Sequence, residues 1–341
     1  MENGREITIY DIANELNIST ATVSRALQDD PSVSAKTRKK IFETADKMGY
    51  RSNIYARNLR RKHTNTIGFM VHELQSNFIN SVLAGVEQVT TAAGYDLIIA
   101  HSLESYEREA ANARNLFHKR VDGLIASLSF DTKSLDHFRP FREREVPMIF
   151  FDRVEKSLDS TVVVIDNYRA GYQATRHLID QGCKRIMHVT ASLTRNVYAE
   201  RFEGYRAALA EHHLPFDEEL LIMGDLSEMS GINAAHMIML SRPRPDGAFI
   251  TNDFVAAVCM RTLKEHRIRI PEDIAFVGFN NDAISELVEP ALSTINYPGK
   301  EMGIVAAETL VNHLKGAGDL TRLDAIILSS DLIIRDSSLR K

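Results

Sequence analysis

Cysteine is nearly absent: two residues in 341, Cys183 and Cys259, with no Cys-x-x-Cys or metal-ligand spacing. No disulfide framework or cysteine-built metal site can be drawn from that, and the expectation is two buried thiols in a reducing compartment. Long apolar runs are missing too. None approaches the ~20 residues that cross a bilayer. The opening Met-Glu-Asn-Gly-Arg-Glu lacks the apolar stretch of a secretory signal, so a soluble, cytoplasmic protein with no membrane partner is expected. Catalytic signatures are also absent. There is no GxxxxGK loop, no GxGxxG after a strand, no GxSxG and no HExxH. The twelve histidines are scattered, and His212-His213 has no third ligand at useful spacing, so surface histidines are expected. Asp152 beside Arg153 suggests an acid/base pair, but neighbours at a strand end point in different directions. No enzyme, cofactor or metal is therefore expected. There is no short repeat and no low-complexity segment.

What the chain has is a helical, basic head. Thr8 followed by Asp11 suits a capped helix start, and Ile9, Ile12, Ala13 and Leu16 then share one face. Asn17-Ile18 makes a turn. Ser19 can cap a second helix whose Val23 and Leu27 point inward, and Ser34 a third, with Ile41, Ala45 and Met48 inward and Gly49 as its stop. Thr20, Ala21, Ser24 and Arg25 remain outward on the second helix: small, polar side chains that can enter a major groove and offer donors to base edges. Residues 1–62 hold twelve basic and eight acidic residues, a net +4, on a chain whose total is −5, so the remainder carries −9. A basic head on an acidic body suits a phosphate-binding module attached to something that does not bind nucleic acid. The bland reading is a three-helix cap with a solvated basic face; spacing, caps and charge together favour the first.

From residue 66 onward the pattern alternates. Strands are predicted at 67–71, 95–100, 121–126 and 146–151, and 162–165 opens a second round, continued at 185–190, 220–223, 248–251 and 274–278. Helices are predicted over 79–93, 106–119, 170–181, 199–212, 231–240 and 254–266. With 44% hydrophobic residues the chain can fill a sizeable core. Alternating βα units imply parallel sheets covered by helices on both faces, and two successive sets imply two similar lobes. Ligands of such sheets bind beyond the carboxyl ends of the strands. Ser127, Asp152, Arg153, Asn252, Asp253, Asn280 and Asn281 fall at those ends. Arg201 starts a helix there, and Phe78 is a candidate stacking wall. Each has a bland alternative: Asp166 and Asp253 can simply cap helices, and Arg201 can pair with Glu200 or Glu203 at the surface. Together they would line a cleft suited to a polyhydroxylated small molecule, with Arg201 forking to hydroxyls or to an anionic group.

Between head and body lies Tyr50-Arg-Ser-Asn-Ile-Tyr-Ala-Arg-Asn-Leu-Arg-Arg-Lys62. A helical turn from Asn53 would gather Ile54, Ala56 and Leu59, with Arg57, Arg60, Arg61 and Lys62 toward phosphates. Leu59 in that basic setting has the composition of a minor-groove wedge; a flexible basic linker fits the same residues.

These motifs resemble the LacI/GalR-type transcriptional repressors over essentially the whole chain. The head matches as T-I-Y-D-I-A, S-T-A-T-V-S-R-A-L and V-S-A-K-T-R-K-K-I, and the hinge as N-I-Y-A-R-N-L. The body matches as V-D-G-L-I (121–125), V-P-M-I-F-F-D-R (146–153), R-F-E-G-Y (201–205), T-N-D (251–253), I-P-E-D-I-A-F-V-G-F (270–279) and L-S-T-I-N-Y-P (292–298). The resemblance implies an α/β protein: an all-α helix-turn-helix head over residues 1–50, a hinge helix over 51–63, and a two-lobed periplasmic-binding-protein-like core of parallel βα sheets over 64–341. Lobe 1 would hold 64–164 and 297–325, and lobe 2 165–296 and 326–341. It implies DNA contacts from Thr8, Tyr10, Ser19, Thr20, Ala21, Thr22, Ser24, Arg25, Ser34, Lys36 and Thr37, and from Asn53, Ala56, Arg57 and Leu59 in the hinge, with Leu59 wedged into a central base step. The effector would meet Phe78, Ser127, Asp152, Arg201, Asn252 and Asn280.

Three departures stand out. Ser52 stands where the family commonly has Pro, Asn280 where Asp is common, and Asn77-Phe78-Ile79 replaces the usual N-P-F-F. The chain ends at Lys341 without a leucine-heptad tail, so a homodimer is expected, binding pseudo-palindromic double-stranded operator DNA near the nucleoid. A sugar or sugar derivative between the lobes would change their angle and the hinge spacing, a coupling of typically ~1–3 kcal/mol. The competing classes are a free-standing sugar-binding protein, which would carry a secretory signal and no basic head, and an enzyme on the same core, which would need a catalytic motif.

Overall fold

Asp11, Ser19 and Ser34 fix the starts of three helices, α1 (Ile9–Leu16), α2 (Thr20–Ala26) and α3 (Ala35–Met48). The Asp11 carboxylate accepts the Thr8 N–H at 2.8 Å and its hydroxyl at 2.6 Å. Ser19 Oγ accepts the Thr22 N–H at 3.1 Å, and Ser34 Oγ that of Thr37 at 3.2 Å, so orphan donors of each first turn are satisfied. Gly49, in the left-handed region at φ 70°, ends the third helix. Ile12, Ala13, Val23, Ala26, Ile41 and Ala45 are buried between the three. This is a computed structural model, and it describes residues 7–50, 63–155, 160–320 and 324–340. The hinge segment, with Ser52, Asn53, Ala56, Arg57 and Leu59, lies outside them. The chain divides into two units, Met1–Thr64 and Asn65–Lys341.

The strands of the second unit are β1 (Thr66–Val71), β2 (Asp96–His101), β3 (Gly123–Ala126), β4 (Met148–Phe151), β5 (Thr161–Ile165), β6 (Ile186–Thr190), β7 (Leu221–Met223), β8 (Gly247–Ile250), β9 (Ala275–Asn280), β10 (Ser293–Asn296), β11 (Ala325–Leu328) and β12 (Leu332–Ile333). Its main helices are α4 (Asn77–Ala93), α5 (Tyr106–His118), α6 (Arg139–Glu143), α7 (Asn167–Asp180), α8 (Asn196–Glu211), α9 (Glu228–Leu240), α10 (Asp253–Glu265), α11 (Ile284–Leu287) and α12 (Gly299–Leu314). Two six-stranded sheets result, ordered β11-β5-β4-β3-β1-β2 and β12-β10-β9-β8-β6-β7. All pairings are parallel except that of β10 with β12. The central strands are buried on both faces, as β3, β4 and β8 are throughout, which parallel sheets under helices demand. Among the described residues no helix is long and apolar enough to cross a membrane. Both cysteines are buried free thiols.

Two expected boundaries move. The 161–165 strand closes the first sheet, beside β4, rather than opening the second round, which begins with α7. Residues 325–328 pair in parallel with β5, Ala325 opposite Val162, so the first sheet keeps the chain to Leu328 although 326–341 was expected in the second lobe. Alternation alone cannot say which sheet a strand joins; the pairing edge decides it. The α8 helix begins at Asn196, so Arg201 lies in its second turn, not at its start. Its non-periodic pattern hid that boundary. Histidines expected at the surface are in part buried: His72, His137, His177 and His188. An imidazole can pack there as an aromatic, as His188 does on Tyr205 at 4.9 Å.

In each lobe a helix pair touches backbone to backbone. A Cβ on Gly303 of α12 would lie 2.0 Å from the Val82 carbonyl oxygen of α4. In the second lobe a Cβ on Gly171 of α7 would lie 2.1 Å from the Arg201 carbonyl oxygen of α8. Neither carbonyl can retreat without moving its helix. Gly171→Ala should therefore cost ~1–3 kcal/mol by overpacking and lower the thermal midpoint by several degrees. Circular dichroism melting checks this; an unchanged midpoint would mean the helices are not in backbone contact.

Candidate effector cleft

Beyond the carboxyl ends of both sheets lies a cavity of about 840 Å³, within the size range of small-molecule sites. Its apolar wall is Phe78, in the first turn of α4, stacked on Tyr297 at 4.1 Å. Arg201 lies with its guanidinium carbon 3.6 Å from the Phe279 ring centroid and 5.2 Å from that of Tyr297. The residue is 3% exposed. Its Nε donates to Asn167 Oδ1 at 2.9 Å, and among the described residues its two terminal nitrogens donate to nothing. A buried guanidinium with open donors is an anchor for oxygen atoms of a ligand.

Asp152 faces it from the first lobe. Its Oδ1 accepts the Tyr297 hydroxyl at 2.7 Å and its Oδ2 the Ser127 hydroxyl at 3.4 Å. Burial raises its pKa against the pull of Arg153, the Tyr297 hydrogen bond and Arg201. Arg153 takes a different partner: Nη1 closes on both oxygens of Glu104 at 2.8 and 2.9 Å, and Nη2 donates to Tyr198 at 3.2 Å. Both residues line one cavity, as expected of strand-end residues, while their side chains turn to different partners. β4 has ended at Phe151 and Asp152 is left-handed at φ 57°, so period-two alternation no longer applies. His72 is held well below its usual pKa by burial and by Arg153.

Of the six expected effector residues, Phe78, Asp152, Arg201, Asn252 and Asn280 line the cavity. Ser127 does not; its hydroxyl stands behind Asp152 and also accepts the Arg153 N–H at 3.4 Å. Asn252 also caps α10, its Oδ1 accepting the Val255 N–H at 3.0 Å. Asp166 does only the capping work expected of it, for Arg169 N–H at 2.8 Å. Asp253 does not cap. Its carboxylate, pushed up to about 8 by burial, accepts the Asp282 N–H at 2.8 Å and the Thr294 hydroxyl at 2.7 Å. Arg201 is no surface partner of Glu203, which bonds Arg206 at 3.5 Å instead. Sequence reasoning missed Tyr297, Tyr198, Phe130, Glu104 and Asp282 on the lining. Tyr297 could have been found, because it sits in the 292–298 motif.

It also missed how the lobes close. At the start of α8, Asn196 donates to the Asp152 carbonyl at 3.1 Å and accepts the Val154 N–H at 3.0 Å. Arg195 donates to the carbonyls of Phe130 at 3.2 Å and Thr132 at 2.6 Å. In the head, Ala21, Arg25 and Tyr10 are exposed, as are Lys36, Ser19 and Ser34, while Thr8, Thr20, Thr22, Ser24 and Thr37 are half-buried.

A three-helix head of helix-turn-helix form and a two-sheet core around a polar cleft define a DNA-binding regulator that responds to a small molecule. The family model described as bacterial regulatory proteins, lacI family, matches residues 8–53, and a periplasmic binding protein-like domain matches residues 175–338. Catabolite control protein A of Priestia megaterium is 31% identical over 309 residues, 90% of this chain and 92% of that protein. The HTH-type transcriptional repressor PurR of Vibrio atlanticus is 32% identical over 308 residues, with coverage of 90% and 92%. Among solved structures, the transcriptional regulator CelR–cellobiose complex matches with a TM-score of 0.72 at 26% identity, covering 97% of this chain and all of that one. The lac repressor dimer bound to operator and the anti-inducer ONPF shares the fold at a TM-score of 0.87 and 23% identity, covering 98% and 100%. The chain belongs to the lacI family of bacterial transcriptional regulators.

The second lobe carries a built-in acid sensitivity beside the cleft. His188 on β6 is buried between Tyr205 and Phe249, and burial pushes its pKa down to about 3, with its hydrogen bond to the Phe249 carbonyl opposing. Unfolded, it would titrate near 6.5. Between those values the unfolded chain binds the extra proton, so His188 lowers stability as pH falls through that window. His188→Phe should therefore lose less thermal stability than wild type on acidification from pH 7.5 toward 4.5, values on the order of the His titration range. Parallel pH-melting curves would show the opposite, a neutral role.

Proposed function

We propose that this chain is a homodimeric repressor that binds a pseudo-palindromic operator and whose operator affinity is set by a sugar or sugar derivative held between the two lobes. The observation that carries the reading is Arg201: almost fully buried, lining the cavity, with both terminal nitrogens open. The Phe78–Tyr297 stack offers an apolar face for a sugar ring, and Asp152, Asn252 and Asn280 offer groups for its hydroxyls. The related regulators solved with cellobiose and with ribose support this ligand class. A role without catalysis fits relatives that are transcriptional regulators, and a role at cytoplasmic DNA follows from it. A second copy would cover exposed apolar side chains of the second lobe, Met229, Met237 and Leu240 on α9 and Leu287 on α11. Asn53, Ala56, Arg57 and Leu59 complete the DNA contacts in this reading, with Leu59 as the minor-groove wedge.

A thermal-shift screen of the full-length protein against sugars, sugar phosphates and nucleobases tests the ligand class, since a ligand bound by the native state alone raises the midpoint. The bound compound should change operator affinity by about 5–150-fold. Arg201→Ala should abolish that change and leave operator binding near wild type. Calorimetry and gel shifts in parallel check it; wild-type ligand affinity in the variant would remove Arg201 from the site.

Arg25 is the exposed long donor of the recognition helix. Arg25→Ala should relax base preference by ~1–3 kcal/mol at one position while sparing non-specific binding. Selection from random duplexes would return an unchanged motif if Arg25 contacts phosphate alone.

A further inference from the structure

The lining of the cleft is unbalanced in charge. Among the described residues five carboxylates reach it against two guanidiniums, and one of the two, Arg153, is already closed on Glu104. His72, kept neutral by burial and by Arg153, adds no positive charge. Arg201 is left facing Asp152, which is engaged by Tyr297 and Ser127.

Among these carboxylates, Asp282 has a backbone that is held on both sides. Its N–H donates to the buried Asp253 carboxylate at 2.8 Å, and its carbonyl accepts the Ser285 N–H at 2.8 Å and hydroxyl at 2.7 Å. The preceding residues, Asn280 and Asn281, are held at positive φ, 116° and 58°, and the turn places Asn280 and Asp282 on the cleft lining while the Asn281 side chain bonds Asn296 and Arg335. The Asp282 side chain is half-buried, and its Oδ2 accepts the Asn280 amide at 3.4 Å. Among the described residues no lysine, arginine or histidine pairs with it. Burial raises its pKa, with the Asn280 amide opposing. Asp282 also lines an adjoining cavity of about 690 Å³, shared with Asn280 and Tyr297. It therefore stands on the wall that the two cavities share. A carboxylate desolvated without a cation is satisfied by donors that arrive with the ligand.

We propose that Asp282 is a specificity-determining residue of the cleft: its carboxylate receives hydroxyl or ammonium donors of a neutral or cationic sugar, and it turns away sugars that carry a carboxylate or phosphate. This rests on the cleft being the effector site. Among the described residues an anionic ligand would have Arg201 as its one open cation, and it would meet at this end a carboxylate that no described cation pairs with.

The test uses the full-length protein, wild type and Asp282→Asn, with four forms each of glucose, galactose and mannose: the aldose, the 2-amino sugar, the uronate and the 6-phosphate. Thermal shift ranks them and calorimetry measures affinities. The backbone bonds of residue 282 survive in the Asn variant; if it misfolds by circular dichroism, Asp282→Ser takes its place. The expected result is that wild type binds neutral or amino forms over the matching anionic ones. The variant should bind those forms roughly 10- to 100-fold more weakly and lose the discrimination against anions. A uronate or phosphate as the tightest wild-type ligand overturns the proposal, as does an unchanged ranking and affinity in the variant. If no member of the panel shifts wild type, the sugar reading of the cleft falls, and the role of Asp282 with it.

Discussion

The contact on which the second lobe depends is the one between Gly171 and the carbonyl of Arg201. Because position 171 carries no side chain, α7 and α8 meet backbone to backbone, and Gly204 repeats the arrangement against the Tyr168 carbonyl. Two helices seated this closely leave little freedom for the side chains between them. Arg201 accordingly lies within reach of Asn167 on the neighbouring helix, and its guanidinium is set on the Phe279 ring. The position of the cleft's open cation is thus decided by a glycine on another helix. The first lobe uses the same device with α4 and α12, which sets Phe78 against Tyr297.

Polar groups in the cleft follow a consistent logic. Most of them are already bonded: Arg153 to Glu104 within the first lobe and to Tyr198 of the second, Asp152 to Tyr297, Asn196 to the backbone at 152 and 154. Those left open, Arg201 and Asp282, sit where protein atoms do not complete them. Buried polar groups need partners, so the open ones describe the ligand by complement.

Much of this was legible in the sequence, and the residues show why. The head could be read because its caps, periodicity and charge coincide within a few tens of residues, as at Thr8–Asp11 and Ser19–Thr22. Strand ends supplied Asp152, Asn252 and Asn280, because a parallel sheet directs ligand groups there. The unread part is non-local. Whether β5 closes one sheet or opens the next depends on its pairing with β4, and β5 in turn takes its other partner from near the end of the chain, Ala325–Leu328. The helix Gly299–Leu314 and strands β10 to β12 were passed over as elements, although 297–325 was placed in the first lobe; that β11 joins the first sheet and β10 and β12 the second shows only in their pairing. The buried histidines were misjudged because a residue type carries no sign of its neighbours, and Asp282 was overlooked beside Asn280.

The interleaved strand order has a consequence for biosynthesis. The first sheet starts with residues 66–71, yet its edge strand, Ala325–Leu328, and the helix that packs on α4, Gly299–Leu314, come near the end of the chain. At ~5–20 residues per second, a ribosome emits the entire second sheet apart from β12 while the first waits with one helical face uncovered. The nascent protein therefore spends its longest exposed interval with apolar first-lobe surface open to chaperones, and a chain truncated before residue 299 would leave the earlier-made lobe, not the later one, the less complete.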